Sequence, residues 1–118
     1  MKHLLTLLFL LLAFLPLHAQ NDYYIRQSQS YQREAEYYTR QAAGYEREVD
    51  YYNRQAQAHL RNAEYYSKRK DYDRVKTYQQ WARNATNRAE DYARKARNAR
   101  TRAQDYMRKA ENALKRAK

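Results

Sequence analysis

Apolar and small residues recur along this chain every seven positions. One series runs Tyr24, Tyr31, Tyr38, Tyr45, Tyr52, His59 and Tyr66, and a second runs Ser28, Ala35, Ala42, Val49, Ala56 and Ala63. The two series alternate by four and three residues, so they form one stripe along a helix, the d and a positions of a coiled coil. Bases fill position f opposite that stripe, at Arg26, Arg33, Arg40, Arg47, Arg54, Arg61 and Lys68. Asp22, Glu36, Asp50 and Glu64 each stand four residues before one of these bases. That is the favourable acid-before-base order, worth about 0.2–0.5 kcal/mol per pair. The pattern predicts one long helix.

A second helix follows from a second register. Ala82, Ala89, Ala96, Ala103, Ala110 and Ala117 mark its a position, with Val75 one step earlier. Its d position alternates Tyr78, Ala85, Tyr92, Ala99, Tyr106 and Ala113. The two halves do not join, because Tyr66 and Tyr78 lie twelve residues apart where fourteen would keep phase. Coiled coils absorb insertions of about three or four residues, and a loss of two fits neither. Lys68, Arg69 and Lys70 suit a helix C-terminus, and Asp71 and Asp73 an N-terminus, with Asp71 as N-cap.

The sequence therefore predicts an all-α fold of two long antiparallel helices, a coiled-coil hairpin of 14-residue repeats. The helices are expected at about 23–69 and 71–117, each roughly 70 Å long at 1.5 Å per residue, with the turn at about 68–72. Folding there sets large against small in nearly every layer: Tyr66 on Val75, Tyr52 on Ala89, Tyr45 on Ala96, Ala63 on Tyr78, Val49 on Tyr92. Close packing asks for that alternation. Glu34 and Glu48 come near Lys109, Arg102, Lys95 and Arg88, and Ile25 near Leu114. A single rod with a defect is the competing arrangement. The hairpin is preferred because short loops join antiparallel neighbours.

The first 19 residues, MKHLLTLLFLLLAFLPLHA, break the pattern. A lysine precedes an apolar run over residues 4–15, then Pro16 and a small Ala19. This is the form of a secretory signal peptide cleaved after Ala19, too short for a spanning helix of about 20 residues. It places the mature protein, residues 20–118, outside the cell or in a periplasm, with no membrane span of its own.

Composition then narrows the chemistry. The chain of 118 residues has no cysteine, one glycine and one proline, which excludes disulfide scaffolds and thiolate metal sites. All 14 tyrosines belong to the mature part, so any core is built from Tyr and Ala. Tyr23, Tyr37, Tyr51 and Tyr65 form a further row at position c, off the seam, with Gly44 between the middle pair. The row reads either as a second interface or as rings lying under Arg26, Arg40 and Arg54.

Formal net charge is +11. Residues 20–70 hold 9 bases against 7 acids, and residues 71–118 hold 14 against 6. Arg88, Lys95, Arg102, Lys109 and Arg116 form one stripe, widened by Arg94, Arg97, Arg100, Arg108 and Lys115. Such a helix attracts polyanions, among them anionic lipid, lipopolysaccharide and acidic protein. It also serves as the solvated face that keeps a Tyr/Ala protein soluble. Nucleic acid is disfavoured, since no binding motif accompanies the charge. The basic paired helices are similar to the arms of periplasmic chaperones of the Skp type in charge and pairing alone, without their β-structured body. That analogy implies a holdase-like alternative.

No catalytic, cofactor or metal site is expected. His59 stands where the heptad otherwise places Tyr, and the acids sit beside bases. There is neither a Gly-rich phosphate loop nor metal-ligand spacing. The sequence reads as a non-enzymatic structural or interaction protein that self-associates or docks a helical envelope partner through the Tyr row.

Overall fold

A computed structural model describes the backbone of residues 2–117 and the side chains of residues 19–117. It contains two helices, α1 (Lys2–Lys68) and α2 (Tyr72–Ala117), and no strand among the described residues. The fold is a two-helix hairpin. α1 starts well before residue 23, the expected beginning, because the Leu- and Ala-rich leader is itself a good helix former. The signal-peptide reading of residues 1–19 falls, Ala19 apart, on side chains outside the described residues. No helix among the described residues is long and apolar enough to cross a membrane.

The turn forms where the two registers fail to meet, and its hydrogen bonds explain why it is tight without glycine. The Asp71 amide donates to the Tyr66 carbonyl at 3.0 Å and the Lys70 amide to the Ser67 carbonyl at 3.0 Å. These are the paired bonds of a Schellman motif, and they satisfy carbonyls that the helix end would leave open. The residue between them must adopt a left-handed conformation, and Lys70 does so at φ 61°. Asp71 then opens α2 as its N-cap. Its carbonyl accepts from the Val75 amide at 3.2 Å, and its Oδ1 accepts from the Arg74 amide at 3.4 Å. One residue thus closes the first helix and starts the second.

The chain divides into two compact units, Tyr38–Thr101 and Met1–Tyr37 with Arg102–Lys118. In the first, the helices run antiparallel around the turn. Ala42, Ala56, Ala63, Ala82, Ala85, Ala89, Ala96 and Ala99 are buried between them. Seam tyrosines are half-buried and interleave. Tyr92 fits between Tyr45 and Tyr52, with ring centroids 6.1 and 5.7 Å away, and so stands opposite Val49. Tyr78 fits between His59 and Tyr66 at 6.2 and 5.5 Å, opposite Ala63. This is the register expected from the sequence. In the second unit Ala35, Ala103, Ala110 and Ala113 are buried with Ser28, and Tyr31 lies 6.0 Å from Tyr106.

Among the described residues Glu34 and Glu48 form no ion pair, and Arg88 and Lys95 lie over tyrosine rings. The cross-helix ion pair in Tyr38–Thr101 is on the other flank, where Arg100 bonds both carboxylate oxygens of Glu46 at 2.6 and 2.7 Å. Of the four acid-before-base pairs on α1, Glu64–Lys68 closes, at 3.6 Å. Asp22, Glu36 and Asp50 make no ion pair among the described residues. Exposed pairs of long side chains gain too little to hold themselves together in water.

Candidate interaction face

Each D/E-Tyr-Tyr step of α1 places one ring in the seam and the preceding ring outside it. The outer rings are well exposed: Tyr23 60%, Tyr37 54%, Tyr51 53% and Tyr65 46%. Three of them stand against the seam ring beside them. Tyr51 stands edge-on against Tyr52 at 5.1 Å and 79°, and Tyr65 against Tyr66 at 5.1 Å and 81°. Tyr23 meets Tyr24 likewise at 5.4 Å and 71°. Edge-to-face contact is a favoured aromatic geometry, so the neighbouring seam ring props Tyr23, Tyr51 and Tyr65 upright and leaves the far side of each in water. Arg69 lies 4.4 Å above the ring of Tyr65, which precedes it by four residues.

The cations of α2 cover the seam rings. Arg88 lies 5.6 Å above Tyr52, and Lys95 lies 5.0 Å above Tyr92. In the second unit Lys109 lies 4.9 Å above Tyr106, and Arg116 lies 6.0 Å above Tyr24. The basic stripe is thus also the lid of the tyrosine seam, which solves the problem of half-buried phenols. Arg88 donates to the Tyr52 hydroxyl at 3.2 Å, and this bond holds the guanidinium proton more tightly than usual. Gln27 donates to the Tyr31 hydroxyl at 3.3 Å.

All eight bases proposed to meet a polyanion are exposed: Arg88, Arg94, Lys95, Arg97, Arg100, Arg102, Arg108 and Lys109. Several already have partners. Arg94 pairs with Asp91, Arg108 with Asp105 at 2.6 Å, and Arg100 with Glu46. The hydrogen bond from Arg100 is the main reason the Glu46 carboxyl is held below its ordinary range.

A shallow groove opens between the helices at Ala85, with a volume of about 240 Å³. The alternation at position d explains it. Tyr78 and Tyr92 fill the seam on either side, and Ala85 between them leaves a gap. Tyr52, Gln55, His59, Trp81, Asn84 and Arg88 line it. His59 and Trp81 make it distinctive, standing where the repeat otherwise has Tyr and a base, with ring centroids 5.6 Å apart. Nδ1 of His59 is buried and finds no hydrogen-bond partner. His59 is legible in the sequence as a break in the heptad, whereas Trp81 lies outside the a and d series that the seam pattern marks. Its signal was the substitution of an aromatic residue into an otherwise basic row.

A second groove of about 210 Å³ lies at Ala113, lined by Gln27, Tyr31, Lys109, Asn112 and Arg116. Gln27, Asn112, Ala113 and Arg116 are the 28-residue equivalents of Gln55, Asn84, Ala85 and Arg88.

Gly44 needs no special conformation, and a methyl group there would meet the Arg47 guanidinium at an ordinary 3.7 Å. No group of three or more metal-binding side chains occurs among the described residues. Compared with known proteins, the chain matches no family description, no curated protein and no solved structure.

Proposed function

We propose that this chain is a non-enzymatic interaction protein of an extracytoplasmic compartment, which works by presenting the outer tyrosine row of α1 to another helical surface. The observation that carries the reading is the set of upright, exposed rings at Tyr23, Tyr51 and Tyr65, each braced by its seam neighbour. Aromatic side chains held out in water without a covering chain are a feature of contact surfaces. The leader of residues 1–19 supports export.

The test is cross-linking of the full-length chain in the cells that produce it. Wild-type protein is expected to give adducts, with itself or with an envelope protein. The variant with Tyr23, Tyr37, Tyr51 and Tyr65 all replaced by Ser is expected to lose them while keeping its helical circular dichroism. Equal adducts from both would overturn the reading.

A second reading is polyanion binding or holdase activity by α2. The excess of bases over acids in residues 71–118, 14 against 6, favours it. Charge reversal of Arg94, Arg97 and Arg100 to Glu is then expected to abolish binding to anionic vesicles and to remove its salt dependence. Binding indifferent to both would exclude it.

A further inference from the structure

Every second tyrosine of the outer row, which repeats every 14 residues, has a groove of matching spacing across the hairpin. Tyr23 and Tyr51 are 28 residues apart, and so are Ala113 and Ala85, each of which lies in a groove. Each compact unit holds one set: Tyr51 with the groove at Ala85, and Tyr23 with the groove at Ala113. We propose that the partner of the tyrosine row is a second copy of this chain, whose Tyr51 enters the groove at Ala85, under Arg88. This rests on the reading of that row as a contact surface and names its partner.

Groove chemistry suits a phenol ring. Its walls are aromatic, its floor is a methyl group, and its rim carries two amides and a guanidinium. At about 240 Å³ it is smaller than the roughly 300–1,000 Å³ of small-molecule sites, which favours a side chain over a cofactor. Inside the seam, the same chain already sets Tyr52 under Arg88 with the hydroxyl bonded to the guanidinium. An incoming Tyr51 would find a second arrangement of that kind, with the Gln55 amide for its hydroxyl.

Charge is complementary as well. The residue before Tyr51 is Asp50, exposed and without an ion pair among the described residues. Seated in the groove of another copy, Tyr51 brings that carboxylate to the rim that carries Arg88. Asp22 stands in the same relation to Tyr23, and Arg116 to the groove at Ala113. Tyr51 also lines its own groove, so knob and hole lie side by side. A two-fold arrangement therefore lets each copy give and receive at once.

The cysteine-free chain makes the test direct. Two full-length copies with different tags are co-expressed, one carrying Arg54→Cys beside the knob and the other Asn84→Cys at the groove rim. A bismaleimide is expected to link the two tags. Adding Tyr51→Ala to the first copy is expected to lower the yield at least about tenfold, the loss of one central aromatic contact. Adding Asp50→Arg to the first copy is expected to lower it too, because it sets a second base against Arg88. No link between tags, or a link that Tyr51→Ala leaves unchanged, overturns the proposal. If links between tags are absent but the tyrosine-dependent adducts persist with other proteins, the contact-surface reading stands and the second copy is excluded.

Discussion

Arg88 of α2 reaches across the hairpin to Tyr52 of α1, donating to its hydroxyl at 3.2 Å while its guanidinium carbon lies 5.6 Å from the ring centre. One cation thereby serves both the apolar and the polar part of a tyrosine. If this cover holds the seam, Arg88→Met lowers the urea midpoint of unfolding. Arg88→Lys falls between, since an ammonium keeps the ring contact and loses the planar donor set. A midpoint unmoved by Arg88→Met would make the cover incidental.

The turn predicts opposite signs at adjacent positions. Lys70 holds a left-handed conformation that costs a non-glycine residue roughly 1–2 kcal/mol, so Lys70→Gly is expected to stabilise the protein by up to about 1 kcal/mol. Asp71→Ala removes the N-cap of α2 and is expected to destabilise it by about 1 kcal/mol. Chemical denaturation of both variants measures the pair.

Buried alanines should respond to enlargement according to what faces them. Ala96 is 5% exposed within the seam and lines neither groove. Ala96→Leu overpacks it, for a loss of about 1–3 kcal/mol. Ala85→Leu has the groove to grow into and is expected to cost less. Thermal melts of the two variants check the order.

Gly44 weakens α1 without steric need. Gly44→Ala is expected to raise stability by about 0.5–1 kcal/mol, read from the denaturation midpoint. A loss instead would mean that the methyl group meets something closer than the Arg47 side chain.

Acid should loosen the flank that Glu46 and Arg100 tie together. The Glu46 carboxyl is held below its ordinary value of 4.5, chiefly by the hydrogen bond from Arg100. Its folded-state pKa is the lower one. The pair's contribution is therefore complete above about 4.5 and fades as pH falls through the depressed value. Glu46→Gln is expected to melt lower than wild type at neutral pH, and the difference should shrink in acid.

Much of this architecture was legible in the chain because a heptad is a local code. Tyr24 to Tyr66 and Ala82 to Ala117 keep their spacing without exception, apart from His59, so helix, seam and register follow from the period alone. The phase loss between Tyr66 and Tyr78 located the turn. Its left-handed residue was not legible, since Lys70 gives no glycine signal and the Schellman bonds impose its conformation. Nor were the ion pairs. At the flanks several bases lie within reach of several acids and rings, and sequence spacing ranks none of them.

Sequence by itself determined the helices, the Tyr/Ala seam, the excess of base on α2 and the row of outer tyrosines, because each is a matter of which residue falls on which face. Tertiary structure decided what those residues do with one another. Cations of the basic stripe turned onto the seam rings, outer rings stood edge-on against inner ones, and the d-position alanines Ala85 and Ala113 came to lie in grooves. Those outcomes depend on competition among side chains for the same few ångströms, and only the packed helices resolve it.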